Sequence, residues 1–266
     1  PRGAHPPGRD RAGLALLGLA RVAQLALSLQ PSGPSSPNLS EPSRRWGPQW
    51  DPASYPDPAA LVAQLREAHH LKLMVSVWSK FDRKTSFHKA MAADGLLLNG
   101  SNYYDAWSSA ARERFYSFSK AAHFAIGVES LWLDATEPEN FPNRDQRCAG
   151  PSGSGNADFN SYSLQTTRAI ADGLRRDFGD SQGRRVFSLT RSAFAGQQRT
   201  GATLWSGDIS GAWDALRRQV AASLNYAASG MPYWSEDIGG FFRPDGQHTD
   251  RGYAALLTRW FQFGVF

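Results

Sequence analysis

Carboxylates, guanidinium groups and tryptophans recur together in this chain. Trp132-Leu-Asp-Ala-Thr-Glu-Pro-Glu139 places Asp134 and Glu137 beside an aromatic ring at the end of an apolar run. Two carboxylates so close can be a metal site, an ion-pair network or an acid/base pair. Further on, Arg191-Ser-Ala-Phe-Ala-Gly196 continues through Arg199 to Trp205-Ser-Gly-Asp208, adding two guanidinium groups and another carboxylate. Carboxylates whose pKa values are driven apart are what glycoside hydrolysis needs. One attacks the anomeric carbon and the other protonates the leaving oxygen. Aromatic faces and fixed Arg and Asp groups would hold a sugar ring, although core packing is the commoner role of any single Trp.

The elements that must position these residues begin near Trp46, where strand and helix patterns start to alternate. Asp57-Pro58 opens a helix running to His69, with Asp57 as cap and Leu61, Leu65 and Ala68 on one face. Leu71–Trp78 reads as a buried strand, Ala110–Phe124 as a helix and Ser130–Ala135 as the next strand. A loop through the glycine-rich Gly150–Gly155 follows, then a helix over Ser163–Phe178. Strands are expected at Arg185–Arg191, Thr203–Ser206 and Pro232–Ile238, and helices at Trp213–Ala228 and Tyr253–Phe263. Such alternation points to a parallel sheet with crossover helices. The five strands lead to Trp78, Asp134, Arg191, Asp208 and Asp237. Functional groups at the C-terminal ends of successive strands favour a (β/α)8 barrel over an open sheet.

These segments resemble glycoside hydrolase family 31, the retaining α-glucosidases and α-xylosidases. The family's nucleophile block is matched by Trp132-Leu-Asp134-Ala-Thr-Glu137-Pro, a version closest to the α-xylosidase-like branch. Arg191–Gly196 with Trp205-Ser-Gly-Asp208 matches a second motif, and Asp237-Ile-Gly-Gly-Phe241 followed by Arg259-Trp-Phe-Gln262 matches a third. Tyr55-Pro-Asp-Pro58 and Val75-Ser-Val-Trp78 also look like family segments. The resemblance implies Asp134 as nucleophile and Asp208 as general acid and then base, with carboxyls about 5–5.5 Å apart. It further implies that Arg191 and Asp237 bind sugar hydroxyls, that Trp78, Trp132, Trp205 and Phe241 line the pocket, and that Glu137 supports the site. The implied substrate is an oligosaccharide or polysaccharide-derived α-glycoside bearing xylose or glucose.

The resemblance covers Trp46 to Phe266 and breaks at both ends. Residues 31–45 are Pro/Ser/Arg-rich where an aromatic-rich segment and a sugar-binding Asp are expected, and no final strand with a sugar-binding His follows Gln262. The expected architecture is therefore an α/β (β/α)8 TIM-barrel catalytic domain truncated at both ends, over 46–266, behind an atypical, disordered segment over 1–45. A catalytically incompetent fragment that binds carbohydrate weakly is the alternative.

Composition narrows the remaining classes. Of 266 residues, 41% are hydrophobic and 12% aromatic, which suits a packed core and not a disordered chain. The net charge is +5, but residues 1–50 hold six Arg and two acidic residues, so the rest is near neutral and no nucleic-acid face is expected. The apolar run from Ala12 to Leu29 is too short and too polar for a membrane span. It reads as an amphipathic or poorly ordered helix, with a weaker likeness to the apolar part of a signal peptide. A single cysteine, Cys148, rules out an intrachain disulfide framework, and six scattered His lack metal-ligand spacing. No metal and no organic cofactor is expected.

Overall fold

The computed structural model describes residues 46–98, 101–138, 148–179 and 185–265. The readings of residues 1–45 and of Glu139 lie outside them. Seven helices carry the labels α1 (Pro58–His69), α2 (Ser86–Ala93), α3 (Ser109–Ala122), α4 (Gly155–Asp158), α5 (Tyr162–Phe178), α6 (Trp213–Ala228) and α7 (Arg251–Gly264). Five strands, β1 (Met74–Trp78), β2 (Ser130–Asp134), β3 (Ser188–Thr190), β4 (Ala202–Trp205) and β5 (Trp234–Ser235), form one parallel sheet.

Spatial order follows sequence order from β1 to β5. A doubly wound sheet reverses direction at a switch point, whereas a barrel wall keeps winding one way. Winding without reversal is therefore what the expected barrel requires. The register aligns the strand ends: Trp78 pairs with Asp134, Leu133 with Thr190, Thr190 with Leu204, and Trp205 with Ser235.

The two faces of the sheet are separated by the period-2 alternation of strand side chains. Val77, Leu131 and Leu133 point outward and pack with Phe115 and Tyr116 of α3 and Tyr162, Ile170 and Leu174 of α5. The helices themselves approach closely at Gly173, where a Cβ would lie 2.3 Å from the Tyr116 ring. On the inner face Met74, Trp132, Phe187 and Leu189 form a separate cluster. Two residues on from the last inward apolar side chain of β2 and of β3 come the chemical groups: Trp132 leads to Asp134 and Leu189 to Arg191.

Local chemistry sets the helix starts. Asp57 caps α1 by accepting from the Ala60 N–H at 2.9 Å, with Pro58 at the first turn. Ser108 caps α3, and Asp250 caps α7 through the Gly252 and Tyr253 amides. Helix α2, absent from the sequence reading, is capped by Thr85 and buries only Met91, so it carries no apolar stripe to announce it. On α1 the inward residue is Val62, with Leu65 partly covered by the cluster that includes Trp50 and Ile126, while Ala68 is exposed. That helix meets the sheet through its first two turns only. The strands are shorter than their apolar runs, most of all β5, where two residues replace the expected seven.

Candidate active site

Asp134 ends β2, and the backbone turns immediately after it. Ala135 has a φ of 52°, the left-handed region that a side chain disfavours, and its N–H donates back to Asp134 Oδ1 at 2.7 Å. Such local strain persists only where surrounding contacts over-determine it. Thr136 supplies them. Its buried hydroxyl lies 2.9 Å from both Thr190 Oγ1 and Ser192 Oγ, and it accepts from the Ser192 N–H at 3.3 Å. One hydroxyl thus joins the turn after β2 to the turn after β3.

Arg191 follows β3 directly, its N–H bonded to the Leu133 carbonyl. One guanidinium serves two carboxylates: Nη1 lies 3.3 Å from Asp134 Oδ1, while Nε and Nη2 donate to Glu137 Oε1. Of the sequence-level options for Asp134 and Glu137, an ion-pair network is therefore present. Among the described residues no three His, Cys, Asp or Glu side chains converge as a metal cage. Glu137 Oε2, Trp132 Nε1 and Ser206 Oγ are buried without a hydrogen-bond partner among the described residues.

Asp208 lies three residues beyond β4 and is exposed. It is brought in by Gly207, whose φ is 79° and whose missing Cβ would touch the Arg191 stem at 3.5 Å. The adjoining Ile209 carbonyl accepts from the Phe241 and Phe242 amides, and Gly211 N–H donates to Phe242 O. These bonds stitch the loop after β4 to the loop after β5. Gly240 makes the approach possible, since a Cβ there would sit 2.3 Å from Gly211 N. Asp237, two residues beyond β5, is held in that loop through the Gly240 N–H bond to its carbonyl, and Tyr253 Oη anchors Gly239 O at 2.9 Å.

The three carboxylates feel one another's charge. Burial pushes the Asp134 carboxyl up to about 6. Arg191 and the Ala135 amide pull against this, while Glu137 and Asp208 push with it. Asp237 is likewise raised to about 6, first by burial and next by Asp208, with Arg243 opposing and Asp134 adding to the rise. Glu236 is also raised by burial.

The aromatic candidates divide. Trp132 and Trp205 meet edge to face at 5.2 Å, and Trp205 is buried. Trp78 packs on Trp46 with ring centroids 3.9 Å apart. Phe241 is half exposed and lies edge-on to Phe242 at 5.0 Å. Sequence reasoning missed Thr136, Gly207, Glu236 and Arg243. Thr136 lies inside the motif that named Asp134, but its hydroxyl acquires meaning only against β3.

A parallel sheet wound in one direction, with carboxylates and an arginine gathered beyond its C-terminal strand ends, defines a barrel of the (β/α)8 class with its site where such barrels carry them. Residues 41–266 match the glycosyl hydrolases family 31 TIM-barrel domain, and the chain belongs to that family. An alpha-xylosidase of Saccharolobus solfataricus is 36% identical over 84% of this chain and 31% of its own length. Human neutral alpha-glucosidase AB is 30% identical, over 82% of this chain and 24% of its own. The crystal structure of a GH31 alpha-xylosidase from Xanthomonas citri superposes with a TM-score of 0.73 at 31% identity, covering 84% of this chain and 27% of that one. A GH31 alpha-xylosidase from a soil metagenome, complexed with xylose, gives 0.72 at 32% identity, covering 83% and 33%. The chain spans about a third or less of the length of these relatives.

Proposed function

We propose that residues 46–266 carry the catalytic groups of a retaining α-glycosidase acting on α-xylosides or α-glucosides. The observation that carries this reading is the gathering of Asp134, Asp208 and Asp237, each within electrostatic reach of the others, around Arg191 at the strand ends.

In this reading Asp134 attacks the anomeric carbon and forms a glycosyl ester as Asp208 gives its proton to the leaving oxygen. Asp208, now a carboxylate, takes a proton from water, and the hydroxide equivalent displaces Asp134 from the same carbon, restoring both groups. Arg191 keeps Asp134 oriented and favours its ionised form against the cost of burial. Glu137 holds the guanidinium and presents its unpartnered Oε2 to a sugar hydroxyl. Arg191 and Asp237 bind hydroxyls, and Trp78, Trp132, Trp205 and Phe241 form the apolar wall. Orphaned polar atoms beside the carboxylates suit a polyol, because each buried group left unpaired costs free energy that a ligand hydroxyl would recover.

A binding-only fragment is the second reading. Trp234 packs outward on Tyr226 of α6, so its neighbours Tyr233 and Ser235 face inward, and both are exposed. The inner face beside Asp237 therefore lies open to water, which weakens transition-state electrostatics.

Hydrolysis of aryl α-xyloside and aryl α-glucoside by the whole chain and by Asp134→Ala separates the two, with circular dichroism as the folding control. Turnover that vanishes in the variant and releases the α-anomer first supports the retaining enzyme. A folded chain that binds xylose or glucose without turnover supports the second reading.

A further inference from the structure

Lys80 stands two residues beyond the end of β1, on the same side of the chain as Trp78. Two residues of extended backbone carry it roughly 6–7 Å further out than Trp78, and Trp78 is the register partner of Asp134. Its ammonium is surrounded by ring faces: the Trp46 centroid is 5.4 Å away, Trp78 5.5 Å and Tyr103 5.8 Å. Trp46 and Trp78 together form a platform, and Trp46 keeps 38% of its surface exposed.

The charge around it is unbalanced. Between Lys80 and Lys89 the chain holds Lys80, Arg83, Lys84 and Lys89 against a single carboxylate, Asp82. Asp82 Oδ1 accepts from the Lys84 backbone N–H, and Arg83 donates to the neutral Asn102. None of the four cations is in a salt bridge among the described residues. Several cations elsewhere are paired: Lys72 with Glu129, Lys120 with Asp177, Arg176 with Glu113, Arg218 with Asp214. The loop after β1 therefore carries a local excess of positive charge, and it borders the candidate site.

An ammonium on three aromatic faces is attracted by their negative faces, yet among the described residues it still lacks a counter-charge. A flat apolar platform beside that ammonium suits a ring bearing an acidic substituent. We propose that Lys80, over the Trp46–Trp78 platform, is a specificity-determining residue for substrates whose leaving group carries an anion, a carboxylate or a phosphate. The placement selects the leaving group over the cleaved sugar, because Lys80 lies outward of the level of Asp134. This inference rests on the glycosidase reading above.

The test compares nitrophenyl α-xylosides whose aryl ring carries no charge, a carboxylate or a phosphate, in the wild type, Lys80→Met and Lys80→Arg. Lys80→Met should lower the anionic-to-neutral ratio of kcat/KM by about two- to five-fold, the range of a partly exposed charge pair. Lys80→Arg should keep the ratio. The wild-type ratio should fall as salt rises from about 0.01 to 0.15 M, while that of Lys80→Met stays level. Electronic effects of the substituent cancel between variants. Carboxylate and phosphate substrates ranked side by side show which anion is preferred. Equal loss on charged and uncharged substrates in Lys80→Met would make Lys80 a packing residue and overturn the proposal.

If no substrate turns over, the glycosidase reading fails on its own account. Sulfur-linked analogues titrated by tryptophan fluorescence then decide Lys80 separately. Tighter binding of the anionic analogue that is lost in Lys80→Met upholds the proposal, and equal binding, or none, refutes it.

Discussion

Asp134→Asn should make this protein more stable, and only above mildly acidic pH. The side chain is 17% exposed, and burial raises its carboxyl from 3.8 to about 6 in the folded chain. A folded-state carboxyl that binds protons more tightly than the unfolded one makes stability fall as pH rises between those values. The penalty is absent below the unfolded value and complete above the folded one. A difference of about 2 pH units corresponds to roughly 3 kcal/mol. The neutral amide removes that penalty, and its Oδ1 can still accept the Ala135 N–H. Arg191 loses one of its two carboxylates but keeps Glu137, which offsets part of the gain. The expected net effect is therefore about 1–3 kcal/mol of added stability near pH 7.5, shrinking to nearly nothing near pH 4. Urea unfolding of both proteins at the two pH values, followed by tryptophan fluorescence, measures it. A loss of stability near neutrality would refute the reasoning, as would a gain of equal size at both pH values. Either would mean that Asp134 is not held against a desolvation cost, and a nucleophile buried at the expense of stability would lose its support.

Thr136→Val should cost about 1–3 kcal/mol, because it keeps the volume but leaves the Thr190 and Ser192 hydroxyls short of a buried partner. Thr136→Ser should restore most of that, and a Val variant as stable as wild type by urea unfolding would show that the hydroxyl junction carries no weight. Gly240→Ala combines a φ of 87° with a Cβ placed 2.3 Å from Gly211 N, so the loop holding Asp237 must move. It should destabilise by about 2–4 kcal/mol. Gly95→Ala, at a φ of 66° with open space around it, should cost only about 1–2 kcal/mol. Equal losses in these two variants, measured by denaturant unfolding, would mean that the close approach of the loops after β4 and β5 is not a constraint.

Much of the architecture was legible because it is local. Asp57-Pro58 specifies a helix start by its own hydrogen bond and ring, whatever packs above it. Alternation makes Trp132 and Asp134 share a face before any partner strand is known, and the same holds for Leu189 and Arg191. Motif residues at successive strand ends therefore identified the barrel wall and the family. Helix α2 escaped because eight residues that bury one side chain leave no periodic trace. The short β5 escaped because its length depends on how many residues meet β4.

What only the tertiary structure decided is how the functional groups act on one another. Nothing in the order of residues says that Arg191 would divide its guanidinium between Asp134 and Glu137, or that Gly207 would lie against its stem. Nor does it say that Lys80 would rest on three rings. The raised affinity of Asp134 and Asp237 for protons is of the same kind. The physical reason is that side-chain type and strand period are encoded within a few residues. Desolvation and charge–charge energy are sums over neighbours drawn from distant parts of the chain, and those neighbours exist only once the strands have paired and brought their ends together.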